Sequence, residues 1–121
     1  MKDAMHLGTI ERKFAEIIWE NEPIPSGELV KICEVALNWN KSTTYTVLRR
    51  LCQRGIFKNE KYVVTSVLSK KEFGAAEGRL VIDHNFDGSI VSFLAAYSEY
   101  NKLSDEDIAG IRKLLNACKK K

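Results

Sequence analysis

Much of what would mark a common protein class is scarce in these 121 residues. Only two prolines are present, and 45% of the residues are hydrophobic against 29% charged, which excludes a collagen-like rod and a disordered chain. Cys33, Cys52 and Cys118 are an odd number of cysteines, lie far apart and form no CxxC pair. No zinc ribbon, redox motif or disulfide framework can be drawn from them, and idle thiols in a reducing cytoplasm are expected. His6 and His84 have no cysteine or carboxylate at metal-ligand spacing, so neither a metal nor another cofactor is expected. No GxSxG, P-loop, HExxH or GxGxxG motif occurs, which leaves an enzyme without residues to stand on. The opening Met1-Lys2-Asp3-Ala4-Met5-His6 has no apolar h-region, and no run approaches about 18 apolar residues. The expectation is a cytoplasmic protein with no membrane partner.

What is present is helical periodicity. The spacing predicts a first helix capped by Thr9, with Ile10, Phe14, Ile17 and Ile18 as its apolar stripe and Trp19 beside it. Asn21-Glu22-Pro23-Ile24-Pro25 stops it, because proline lacks an amide donor and disfavours helical geometry in the residue before it. Ser26 is expected to cap a second helix to about Val35, with Leu29, Val30, Ile32 and Cys33 inward. Asn40 is expected to cap a third, running to about Arg54, whose apolar face is Thr44, Val47, Leu48 and Leu51. Gly55 fits a left-handed helix end. The period then changes: Ile56–Lys58 and Tyr62–Leu68 read as strands around an Asn59-Glu60-Lys61 turn. Three helices and a hairpin in this order make a winged helix-turn-helix, the hairpin being the wing.

From Ser69 the helical signal returns as a thin stripe of Phe73, Ala76 and Leu80, interrupted by Gly74 and Gly78. After an Asp87-Gly88 turn, Ser89 is expected to cap a helix bearing Ile90, Phe93, Leu94 and Tyr97. Beyond Leu103, Ser104 and Asp107 form a capping box for a last helix with Ile108, Ile111, Leu114, Leu115 and Cys118 on one face. The fold class predicted is mainly α with a short β-hairpin: a winged helix-turn-helix domain over residues 1–69, then a helical dimerisation domain over 70–121. Such stripes usually form intramolecular core. Here the first domain closes its own core, which favours a second copy of the chain as the partner of Ile90, Phe93, Leu94, Tyr97, Leu103, Ile108, Ile111, Leu114 and Leu115.

The net charge of +3 hides a segregation. Residues 9–36 hold three basic and six acidic groups, whereas residues 38–61 hold Lys41, Arg49, Arg50, Arg54, Lys58 and Lys61 against Glu60 alone. The basic stretch is the third helix and the wing, where cations would neutralise phosphates and release counterions. Asn40, Lys41, Ser42, Thr43, Tyr45 and Thr46 cluster in the N-terminal half of that helix, with Arg49 and Arg50 following. Hydroxyls there can bond base edges or phosphate, and Arg49 can fork onto a guanine. Singly, each has a plainer account, since serine and threonine at a helix start are usually caps and basic surfaces are usually solvated. Their coincidence with the wing favours DNA. The rival from another class is a winged-helix protein–protein interaction module without specific DNA binding.

Taken in order, Glu16-Ile17-Ile18-Trp19-Glu20, Trp39, Thr43–Leu51, Arg54-Gly55, Phe86-Asp87-Gly88-Ser89 and Lys102–Ile108 make the chain resemble the BlaI/MecI penicillinase-repressor family over roughly residues 9–117. The resemblance implies a homodimeric transcriptional repressor that binds double-stranded inverted-repeat operators, typically with TACA/TGTA cores. It implies operator contact at Thr43 and Thr46, and places Tyr45 and Ser42 where the family often has arginine and lysine. The wing, with Lys58 and Lys61 near its tip, is several residues shorter than usual. Some members are induced by proteolysis of an Asn-Phe bond, which implies a signalling protease as a partner; the matching place here is about Ala96-Tyr97, so that bond is absent. Copper-responsive relatives carry CxC pairs near the C-terminus, where this chain has only Cys118.

Overall fold

The computed structural model describes residues 6–119. Helix α1 (Thr9–Asn21) begins one residue earlier than expected: Gly8, not Thr9, is the N-cap, and its amide donates to the Glu11 carboxylate at 3.3 Å. The chain then forms a short strand β1 (Ile24–Pro25), α2 (Ser26–Ala36) and α3 (Lys41–Gln53). Strands β2 (Phe57–Glu60) and β3 (Val63–Ser66) follow, then α4 (Lys70–Asn85), α5 (Ile90–Tyr100) and α6 (Asp105–Lys119).

Several termini follow directly from local chemistry. The Asn40 side chain accepts the Thr43 amide at 2.8 Å, satisfying one of the unpaired donors that open α3. Its far end turns through Gly55 at φ 82°, with the Gly55 amide donating to Cys52 and the Ile56 amide to Leu51. Ser69 and Glu72 cap α4 reciprocally, Ser89 caps α5, and Ser104 with Asp107 caps α6. Ser26 is not the cap of α2. Pro25 holds that place, and Ser26 is the first helical residue, with its side chain buried.

The hairpin departs from expectation at its tip. Glu60 pairs with Val63, so the turn is Lys61-Tyr62, both at positive φ (51° and 65°), while Asn59 and Glu60 belong to β2. A two-residue loop with both φ values positive matches the right-handed twist of the strands it joins. The segment read only as a helix stop contributes β1, which pairs with β3 to give an antiparallel sheet in the order β1-β3-β2. Glu22 secures this segment by accepting both the amide and hydroxyl of Ser66 (2.7 and 2.8 Å).

The chain divides into two compact units, residues 1–80 and 81–121, so the first part of α4 lies with the winged unit, including Phe73. In that unit Phe14, Ile18, Leu29, Leu48, Leu51, Ile56, Phe57, Val64 and Phe73 are fully or almost fully buried. Each contributes about 1.5–3 kcal/mol of transfer free energy, which seats α3 against α1, α2 and the sheet. Trp19 closes the core edge over Phe57 and Phe73 (centroids 5.3 and 5.8 Å), with its indole N–H donating to the Leu68 carbonyl.

The second unit is different in kind. No residue of α5 or α6 is buried. Phe86, Phe93 and Tyr97 stack in series, and Phe93, Leu94, Leu103 and Ile111 are half-buried around an open groove of about 310 Å³.

Candidate nucleic-acid interface

Helix α3 presents four faces. Thr44, Val47, Leu48 and Leu51 point inward, and Thr44 returns its hydroxyl to the Asn40 carbonyl at 3.2 Å. At 3.6 residues per turn the opposite face is Ser42, Thr46, Arg49 and Gln53, and all four are exposed. This outer ridge brings together three of the expected contact residues, Ser42, Thr46 and Arg49, and adds Gln53, which was not among them. The signal was available: Gln53 stands four residues beyond Arg49 and seven beyond Thr46.

The two flanks differ. On one, Thr43 is half-buried and Arg50 reaches Glu11 of α1 at 3.4 Å. Arg54 also faces Glu11 at 3.7 Å and donates to the His6 carbonyl at 3.1 Å, so two of the basic groups lean on one carboxylate. On the other flank, Tyr45 and Cys52 face the wing. With Leu48, Arg49 and Asn59 they line a cleft of about 200 Å³. Tyr45 donates its phenol proton to Ser26 Oγ at 3.0 Å. At the helix start Asn40 and Lys41 are exposed. In the wing, Lys58 pairs with Glu60 at 3.4 Å, and Lys61 stands exposed in the turn beside Tyr62.

The pairing changes the electrostatics. Of the six basic side chains between 38 and 61, Arg50, Arg54 and Lys58 have carboxylate partners. Lys41, Arg49 and Lys61 make no ion pair among the described residues. These three lie at the helix start, on the outer ridge and at the wing tip.

Nothing near this surface is arranged for covalent or metal chemistry. Burial pushes the Cys33 thiol up to about 11, only partly offset by its hydrogen bond with Thr44, and burial also raises Cys52. Both remain protonated, poor nucleophiles at neutral pH. Among the described residues no group of three or more His, Cys, Asp or Glu side chains could hold a metal ion. No helix among them is long and apolar enough to cross a membrane.

In the second unit, Ile90, Tyr97, Ile108, Leu114 and Leu115 are exposed, the two leucines at 62% and 55%. Phe93, Leu94, Leu103 and Ile111 are half-buried within the unit.

The family model for the penicillinase repressor matches residues 7–117, nearly the whole chain. The chain belongs to the penicillinase repressor family. It is 22% identical to the penicillinase repressor of Bacillus licheniformis over 119 residues, covering 95% of this chain and 93% of that protein. It is 20% identical to the methicillin resistance regulatory protein MecI of Staphylococcus aureus over 114 residues, covering 91% and 93%. An uncharacterised 16.5 kDa protein from Latilactobacillus sakei is 26% identical over 113 residues, covering 90% of this chain and 77% of its own length. The penicillinase repressor family is one of transcriptional repressors, which supports that role here and implies no enzymatic activity.

Proposed function

We propose that the chain represses transcription as a homodimer bound to an inverted-repeat operator, with α3 in the major groove of each half-site. The observation that carries this reading is the outer ridge of α3, where Ser42, Thr46, Arg49 and Gln53 share one exposed face and where Arg49, like Lys41 at the helix start and Lys61 in the wing turn, makes no ion pair among the described residues. Arg49 reads a guanine or grips a phosphate, Thr46 meets a base edge or a thymine methyl, and Gln53 has the donor and acceptor needed for adenine. Lys41 and the open amides at the start of α3 take a phosphate. Lys61 extends the positive surface to the wing tip. Arg50 and Arg54 serve the fold through Glu11 and contribute charge at longer range.

The exposed stripes of α5 and α6 supply the dimer contact. Leu114 and Leu115 stand open on one helix and Ile90 on the other, while the partly filled groove beside Phe93 and Ile111 offers a concave surface to a second copy. A two-fold arrangement matches the symmetry of an inverted repeat.

The test is selection of bound duplexes from randomised DNA by the full chain, followed by titration at several salt concentrations. The expected result is a palindromic consensus and an affinity that falls steeply with salt. Binding without sequence preference or salt dependence would overturn the reading in favour of a protein-binding winged helix.

A further inference from the structure

Three elements of the winged unit meet at Ser26. Its side chain is 2% exposed, and its hydroxyl oxygen accepts the phenol proton of Tyr45 at 3.0 Å, from the recognition helix. Its amide donates to the Tyr62 carbonyl at 2.8 Å, in the wing turn. One residue at the start of α2 is thus bonded to both elements that would face the duplex.

The Tyr45 hydroxyl has a single proton, and the fold already uses it. Its ring packs against the core while its edge lines the cleft beside Arg49 and Asn59. The apolar seat of α3, made by Val47, Leu48 and Leu51, is non-directional and defines the roll of the helix about its axis less sharply than a directional contact does. A hydrogen bond near the N-terminal end is directional and adds that definition. Side chains of the outer ridge depend on this roll, because base-edge contacts need defined geometry whereas phosphate contacts carry no sequence information.

We propose that Ser26 and Tyr45 are positioning residues: their hydrogen bond, with the Ser26–Tyr62 backbone bond, sets the recognition helix against the wing, and Tyr45 reads no base. This rests on the DNA-binding role given above to α3.

Full-length Tyr45→Phe, Ser26→Ala and the double variant test it. They are titrated onto the duplex selected by the wild-type chain and onto a random duplex, with thermal unfolding followed by circular dichroism. Each single variant is expected to bind the selected duplex about fivefold more weakly, the factor expected for one modest hydrogen bond. The double variant should lose no more than either single one. Random-duplex affinity, salt slope and the order of base preferences should stay as in the wild type. Unchanged operator affinity with a lowered unfolding temperature would overturn the proposal, since the bond would then only stabilise the fold. Losses that multiply in the double variant would overturn it too, as would a preference relaxed at one base pair by Tyr45→Phe. If Ser26→Ala does not fold, Tyr45→Phe decides alone, because it keeps the ring and its selected-to-random affinity ratio reports the same effect. A wild-type chain with no salt-dependent binding to any duplex removes the DNA-binding reading, and this proposal falls with it.

Discussion

The wing turn makes an unusual stability prediction, because replacing its large residue by glycine should strengthen the protein. Lys61 and Tyr62 occupy left-handed backbone at φ 51° and 65°, the region that glycine, asparagine and aspartate fill at low cost. For other residues the left-handed conformation costs roughly 1–2 kcal/mol, from the approach of Cβ to the following carbonyl oxygen. The Tyr62 side chain is 78% exposed, so truncating it removes little buried surface. The Tyr62 carbonyl that accepts the Ser26 amide belongs to the backbone and survives the change. Against the relieved strain stands the greater freedom of glycine in the unfolded chain, about 0.4–1 kcal/mol. The balance for Tyr62→Gly is a gain of about 0.5 kcal/mol, and adding Lys61→Asn brings it to about 1 kcal/mol. For the winged unit, a gain of about 1 kcal/mol is a rise in unfolding temperature of roughly 4–8 °C. Differential scanning calorimetry of wild type, Tyr62→Gly, Tyr62→Ala and the Lys61→Asn/Tyr62→Gly pair measures it. Tyr62→Ala keeps a Cβ at positive φ and should gain nothing. A lower unfolding temperature for Tyr62→Gly would refute the reasoning, since the ring would then be making stabilising contacts that its exposure does not indicate.

Other outcomes follow from the same geometry. Arg49→Ala should weaken binding to the selected duplex and lower the salt slope by about one, whereas Thr46→Ala should relax preference at one position per half-site with an unchanged slope; titrations at three salt concentrations separate the two. Leu114→Asp places a charge at a site 62% exposed in the single chain, so sedimentation should find a monomer while calorimetry finds the winged unit unaltered. Native-state alkylation at pH 8 should label exposed Cys118 first and Cys33 last, with mass spectrometry giving the order. Because the folded Cys33 thiol titrates at about 11 against an ordinary 9.0, its contribution to stability is complete below pH 9 and is lost as pH rises towards 11. Urea unfolding across that range should show a decline that Cys33→Ala reduces.

Helices α3 to α6 are legible because each carries its own punctuation. Asn40, Ser69, Ser89 and Ser104 cap the helices they precede, and Gly55 ends α3 in left-handed backbone. What escaped the sequence depends on non-local pairing. Ile24–Pro25 is too short to show a strand period and becomes β1 only because β3 passes beside it. Ser26 has the residue type of a cap, yet tertiary packing buries its hydroxyl against Tyr45, nineteen positions away. The turn expected at Asn59-Glu60-Lys61 lies instead at Lys61-Tyr62, and it escapes the sequence because neither of these two residues has turn chemistry, while Asn59 does. On α3 the ridge periodicity is readable in the sequence as far as Gln53, although the expected helix contacts end at Arg50.

The same distinction bears on charge, the feature that first singled out α3 and the wing. Sequence order alone gives residues 38–61 six cations and one anion. The fold redistributes them: Glu11 comes from the acidic stretch of α1 and takes up Arg50 and Arg54, while Glu60 takes up Lys58. An acidic first helix is thus partly a structural complement of the basic one. The Arg54 and Glu11 side chains are only 14% and 16% exposed, so that contact is shielded from solvent more than the Lys58–Glu60 pair, at 52% and 73%. Lys41, Arg49 and Lys61 make no ion pair among the described residues; they lie at the helix start, on the ridge with Ser42, Thr46 and Gln53, and at the wing tip. If phosphate neutralisation is their purpose, the salt dependence of binding should track these three residues. Substituting Arg50 should instead lower the unfolding temperature slightly and reduce the slope of affinity against salt less than Arg49→Ala does. A slope reduced as much by Arg50→Ala as by Arg49→Ala would show that the Glu11 pair opens when the duplex arrives.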